Sequence, residues 1–158
     1  MPPKAIVDLR EFDLDRLEYG PEEIRKRNPH RFELELLHGV IAFRPEDGIV
    51  VGEHRATDDA FWVRGHIPGR PLFPGVLMVE LAAQLCSFHW RMQYPDIDRF
   101  FGFGGIENTR FRGTVGPGDR LIVVGKVFDL KPRRTIFDTQ GFVEDRMVFE
   151  TRIMGVLV

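Results

Sequence analysis

A chain of 158 residues, 43% hydrophobic and 29% charged, has the length of one domain and the composition of an ordinary folded protein, which excludes general disorder. A formal net charge of −2 supplies no overall basic field of the kind that draws a protein to nucleic acid. The single cysteine, Cys86, excludes an internal disulfide and points to a reducing compartment.

Residues 1–20 mix Asp8, Glu11, Asp13, Asp15 and Glu18 with scattered apolar positions, between the breaks Pro2-Pro3 and Gly20-Pro21. They read as an N-terminal extension, a short helix or an arm lying on a neighbour, ahead of one domain over 21–158. No signal-peptide core is visible, so the cytoplasm is the expected location. Pro21 to Arg27 places proline at a first helical position, acids in the first turn and bases in the last, which complements a helix dipole. Asn28-Pro29 ends that helix, and His30 follows in a turn, where a structural hydrogen-bonding role is expected.

Residues 34–43 and 48–55 have strand character and are joined by Arg44-Pro45-Glu46-Asp47-Gly48, which makes a first hairpin. A polar connection carrying Phe61-Trp62 then leads to Gly65-His66-Ile67-Pro68-Gly69-Arg70-Pro71, where the prolines and glycines forbid regular structure. His66 therefore lies on a loop.

From Pro74 to about residue 92 the sequence turns to valine, leucine, methionine and alanine, with Glu80 and Gln84 the polar interruptions before His89. A helix apolar nearly all round is buried in a core or a membrane. The interruptions and the short run speak against a membrane span, so this is a core helix. Glu80 and Gln84 are four residues apart and share one face. A carboxyl on an apolar face is expected to be kept protonated, ready to act as an acid near neutral pH. Cys86 lies within this helix as a small core residue.

Four further β-type runs follow, at about 99–111, 120–130, 135–144 and 147–157, separated by turns that include Lys131-Pro132-Arg133-Arg134. Read in order they make a four-stranded meander. The whole is an α+β chain with one helix segregated to one face of an antiparallel sheet. No motif for a metal site or a nucleotide cradle is present.

The stretch His66 to Gln84 fits H-x-P-G-R-P-x-x-P-G-V-L-x-x-E-x-x-A-Q. It resembles the active-site signature of the FabZ-type (3R)-3-hydroxyacyl-[acyl-carrier-protein] dehydratases of the hotdog fold. The similarity extends upstream through Glu23-Ile24-Arg25 and Pro29-His30-Arg31-Phe32. Downstream it runs through Gly105-Ile106, Arg110-Phe111-Arg112 and Val115-x-Pro117-Gly118-Asp119-x-Leu121, and so covers about residues 21–158. The chain departs from the family pattern at Ile67, at Phe32-Glu33 and at His38-Gly39.

The resemblance implies a hotdog fold, one long buried helix wrapped by a curved antiparallel sheet. It implies dehydration of a 3-hydroxyacyl thioester on acyl carrier protein in fatty acid biosynthesis, without cofactor or metal. His66 would be the base that takes the C2 proton, suited by a near-neutral imidazole pKa, and Glu80 the acid that releases the C3 hydroxyl as water. Gly75 would hold the thioester oxygen on free amides at the helix start. Phe73, Val76, Phe101 and Phe103 would wall an apolar tunnel.

The family works as a homodimer, or a trimer of such dimers, with histidine and glutamate from different subunits. The partner would be an acidic acyl carrier protein bearing a phosphopantetheine-linked acyl chain, docked on Lys131, Arg133 and Arg134 or on Arg110 and Arg112. Two other readings stay open: another hotdog enzyme, whether a dehydratase that also isomerises the double bond, a hydratase acting on coenzyme A thioesters or a thioesterase, and a non-catalytic acyl-thioester-binding protein.

Overall fold

The computed structural model describes residues 3–158. Beyond the short helix α1 (Pro21–Arg25), the elements are strands β1 (Gly39–Arg44) and β2 (Ile49–Arg55), the long helix α2 (Gly75–Gln93), and strands β3 (Phe101–Phe111), β4 (Arg120–Leu130), β5 (Arg134–Val143) and β6 (Arg146–Leu157). All strand pairs are antiparallel, in the order β1-β2-β4-β5-β6-β3.

Two expectations are corrected here. The last four strands are not a meander in sequence order: β4, β5 and β6 are, whereas β3 crosses to the far edge and pairs with β6. The first strand begins at Gly39 rather than at Leu34, because Phe32–Leu34 forms a 3-10 turn. The amides of Leu36 and Leu37 are then taken by the side chain of Gln84, 3.1 and 3.2 Å away, instead of by a neighbouring strand.

Alternation along the strands divides the apolar residues between two cores. Val50, Leu121 and Val123 face α2 and pack with Leu81, Leu85 and Phe88. Ile49, Val51, Ile122 and Val124 face the other way. In β1 a register shift between Val40 and Ala42 brings Ile41 and Ala42 both to that outer face. Residues 3–20 cover it: Ile6, Val7, Leu9, Phe12 and Leu14 pack there, and Gln140 ties the arm down by accepting from the Ile6 amide at 2.7 Å and donating to the Lys4 carbonyl at 3.0 Å. The arm thus lies on its own sheet. Because helix and arm cover opposite faces, β2 is buried along nearly its whole length.

Helix α2 approaches the sheet closely at Gly52, where a Cβ would stand 2.7 Å from Leu37 and 2.8 Å from Leu85. A glycine there lets the helix seat. The architecture is the hotdog arrangement, with α2 on the inner face of the sheet.

Candidate active site

The loop carrying His66 is held by two aromatic anchors. Trp62 and Phe73 are buried with ring centroids 5.4 Å apart, and Phe73 stacks on His54 at 4.5 Å. Phe73, at 2% exposed, is a core residue that fixes the loop, and it does not line the cavity described below. Between the anchors the Leu72 amide donates to the His66 carbonyl at 2.7 Å, and the His66–Ile67 peptide is cis.

The His66 ring is exposed, with Nδ1 2.8 Å from the Leu72 carbonyl oxygen. A carbonyl only accepts, so Nδ1 carries a proton, and in the neutral ring the free lone pair is on Nε2. That is the form a general base requires.

Helix α2 begins directly after Pro74, whose carbonyl accepts from the amides of Leu77 and Met78. The preceding amides, those of Gly75 and Val76, are the unpaired donors that every helix start leaves. Gly75 packs against Phe111, where a Cβ would come within 2.9 Å of the ring. Val76 is 74% exposed.

One turn further along, Glu80 lines a cavity of about 100 Å³ with His30, Cys86, Phe101, Phe103 and Phe137. The single chain therefore brings Glu80, Phe101 and Phe103 together, and leaves His66, Gly75, Phe73 and Val76 outside that space. Phe101 is pressed between Trp90, stacked at 4.4 Å, and Gly155, whose place no Cβ could share.

Glu80 is half-buried. Burial alone pushes its carboxyl up, but His30 and the Gln84 amide outweigh it, and the group sits below the usual glutamate value. This corrects the expectation that apolar surroundings keep it protonated: the helix face is apolar, but the groups brought against it are not. Gln84 Nε2 donates to Glu80 Oε1 at 3.0 Å and to the Leu34 carbonyl at 2.8 Å. Asn28 in turn donates to the Gln84 carbonyl at 2.9 Å. The polar stripe of Glu80 and Gln84 thus orients the carboxyl and pins the 28–37 segment to α2.

His30 is the site residue that the sequence did not assign to chemistry. Its Nε2 lies 3.4 Å from Glu80 Oε1, long for a hydrogen bond and short enough for an ion pair. The available signal was its place in Pro29-His30-Arg31-Phe32, within the stretch of resemblance. Cys86 is fully buried, and burial pushes its thiol up, as befits a core residue rather than a nucleophile.

Lys131 pairs with Asp129 at 3.3 Å. Its turn adjoins the β3 and β6 ends, where Leu157 donates to the Arg133 carbonyl and Phe101 pairs with Leu157. Phe100 to Phe103 bring that end of the sheet to the cavity. Arg110 and Arg112 lie at the opposite end of β3 and beyond it, with Arg112 3.0 Å from Glu150. Among the described residues no cluster of three metal-ligating side chains occurs, and no helix is long and apolar enough to cross a membrane.

Comparison with known proteins gives a consistent picture. Residues 28–152 match the model of a FabA-like domain. The 3-hydroxyacyl-[acyl-carrier-protein] dehydratase FabZ of Dichelobacter nodosus is 35% identical, over 85% of this chain and 94% of that protein. The protein of the same name from Desulfotalea psychrophila is also 35% identical, over 80% and 85%. Among solved structures, the dehydratase heterocomplex ApeI:P from Xenorhabdus doucetiae has a similar fold, with a TM-score of 0.73 at 16% identity over 85% of this chain and 90% of that one.

Proposed function

We propose, for a chain that belongs to the FabA-like domain family and within it to the FabZ-type dehydratases, that it converts (3R)-3-hydroxyacyl-[acyl-carrier-protein] to the trans-2-enoyl thioester in fatty acid biosynthesis. The observation that carries the reading is a histidine and a glutamate at the motif positions, each held in place by a hydrogen bond. The Leu72 carbonyl holds Nδ1 of His66, so the neutral ring carries its lone pair on Nε2, and Glu80 is held by Gln84 at the wall of an apolar cavity.

In this reading Nε2 of His66 takes the C2 proton of the thioester. Charge building on the thioester oxygen is met by the Gly75 and Val76 amides and the positive end of α2. Glu80 in its protonated form gives a proton to the C3 hydroxyl, which leaves as water. Phe101 and Phe103 wall the acyl chain, and Val76 and Phe73 complete the entrance and its support.

His66 is exposed and lies outside the Glu80 cavity of its own chain, so the site needs a second copy. The surface that would receive one is apolar: β3 is an edge strand and exposes Phe103, Ile106 and Phe111. A homodimer, alone or in a trimer of dimers, is proposed on that ground. The further parts of the reading are an acidic acyl carrier protein docked at Lys131, Arg133 and Arg134 beside the cavity end, a cytoplasmic location, and residues 1–20 as an extension to a domain over 21–158.

The test is the absorbance change of enoyl formation when the protein meets a 3-hydroxyacyl thioester on acyl carrier protein or on coenzyme A. The carrier-protein substrate is expected to turn over faster, and His66→Ala and Glu80→Gln should each lower the rate by roughly 10²- to 10⁴-fold. An inactive wild type, or variants that keep its rate, would contradict the assignment.

A further inference from the structure

A row of four rings joins the start of β1 to the loop that carries His66. His38, His54, Phe73 and Trp62 follow one another with centroids 4.5, 4.5 and 5.4 Å apart. The first three are nearly parallel, at 20° between His38 and His54 and 18° between His54 and Phe73. The row is tied at both ends. His38 Nδ1 accepts from the Arg55 amide at 2.9 Å, and the carbonyl of the buried Trp62 accepts from the His66 amide at 2.8 Å. His54 is buried in the middle, its Nδ1 donating to the Leu36 carbonyl at 2.7 Å and its Nε2 without a partner. With one nitrogen spent on a carbonyl and the other sealed in, this ring takes no part in proton transfer and acts through its faces.

Phe73 directly follows Leu72, whose carbonyl oxygen lies 2.8 Å from Nδ1 of His66. The Phe73 amide donates to the Val115 carbonyl at 2.7 Å, and its ring packs on both His54 and Trp62. These contacts fix the peptide between residues 72 and 73, and with it the direction of the Leu72 carbonyl. In a neutral imidazole the nitrogen that carries the proton is set by the hydrogen bond the ring makes. The aim of that carbonyl therefore decides whether the lone pair is on Nε2. We propose that His54 is a positioning residue for the base: by stacking on Phe73 it keeps the Leu72 carbonyl on Nδ1 of His66, and so keeps Nε2 free for the C2 proton; this rests on the dehydratase reading. His38, at a position where the chain departs from the family pattern, covers the other face of His54.

A second route leads from the same ring toward the acid. It runs through Leu36, whose amide is bound, with that of Leu37, by the Gln84 side chain that also holds Glu80. The two routes are separable. The stack on Phe73 needs only a flat ring at position 54, whereas the bond to Leu36 needs its nitrogen.

The experiment uses the full chain with His54→Leu, which fills the space without a flat face, and His54→Phe, which keeps the face. Both lose the bond to Leu36, so the difference between them isolates the stack. His54→Leu is expected to lower kcat by about tenfold or more with KM little changed, and His54→Phe to recover most of that loss. Phe73→Leu leaves His54 and its bond in place and should behave as His54→Leu does, which supplies the comparison if His54→Leu fails to fold. The direct readout is the ring-nitrogen resonances of His66 in protein carrying isotope-labelled histidine, assigned by their loss in His66→Ala and read above the ordinary histidine pKa of about 6.5. Wild type and His54→Phe should show the Nδ1–H tautomer, and the two leucine variants a rise in the Nε2–H tautomer. A wild-type kcat in folded His54→Leu, equal losses in His54→Leu and His54→Phe, or an unmoved tautomer in the leucine variants would each overturn the proposal. The tautomer is read without substrate, so a wild type inactive on 3-hydroxyacyl thioesters with a tautomer that still shifts would defeat the dehydratase reading and leave the positioning of His66 by His54 standing.

Discussion

His89 and His54 are buried imidazoles that the chemistry leaves unused, and both set how the fold responds to acid. His89 lies between the rings of Phe43 and Phe137, at 5.1 and 5.2 Å, with no partner on either nitrogen, and burial pushes its pKa down to about 4. His54 stacks between His38 and Phe73; burial brings it to about 4 against the opposing bond to the Leu36 carbonyl. The unfolded chain binds these protons near pH 6.5 and the folded chain only near 4. Stability is therefore complete above 6.5 and is lost as pH falls toward 4, by on the order of 3 kcal/mol for each ring. His89→Leu removes one such group. Urea midpoints at pH 7.5 and pH 4.5 should fall less in this variant than in the wild type, and equal falls would contradict the account.

At the scale of elements, the arm over the outer face of the sheet replaces water on Ile41, Ile49, Val51, Ile122 and Val124. Phe12→Asp puts a charge into that contact and should cost about 1–3 kcal/mol. A lower thermal midpoint and faster proteolysis within residues 3–18 are expected, and an unchanged midpoint would show that the arm contributes little. The sequence indicated the arm's existence through its flanking prolines and glycine, but not where it lies, because its apolar residues follow no helical or strand period that would designate a face. Helix α2 was legible almost to the residue, since proline, an apolar run and two polar residues four apart leave one local solution. The position of β3 was not: strand periodicity gives each strand a face but no neighbour, and pairing with β6 is a long-range choice. The site divides the same way. His66 and Glu80 are spelled out in one contiguous motif, whereas the contact of His30 with Glu80 joins residues 50 positions apart and exists only once Gln84 has drawn the 28–37 segment onto α2.

For the molecule as a whole, the free base of His66 is exposed while Glu80 lines a cavity that His66 does not reach in its own chain. The edge strand β3 shows Phe103, Ile106 and Phe111 to solvent, and Val76 at the start of α2 does the same. A second copy would cover these residues and bring one chain's base to the other's acid. The most direct measurement is activity after co-expression of His66→Ala with Glu80→Gln, each of which is expected to keep at most about a hundredth of the rate alone. Random pairing of two-fold dimers predicts recovery of about a quarter of the wild-type rate, because each mixed dimer holds one site with both groups intact. Mixed dimers that form and stay inactive would contradict a site in which His66 of one subunit and Glu80 of the other act on the same substrate.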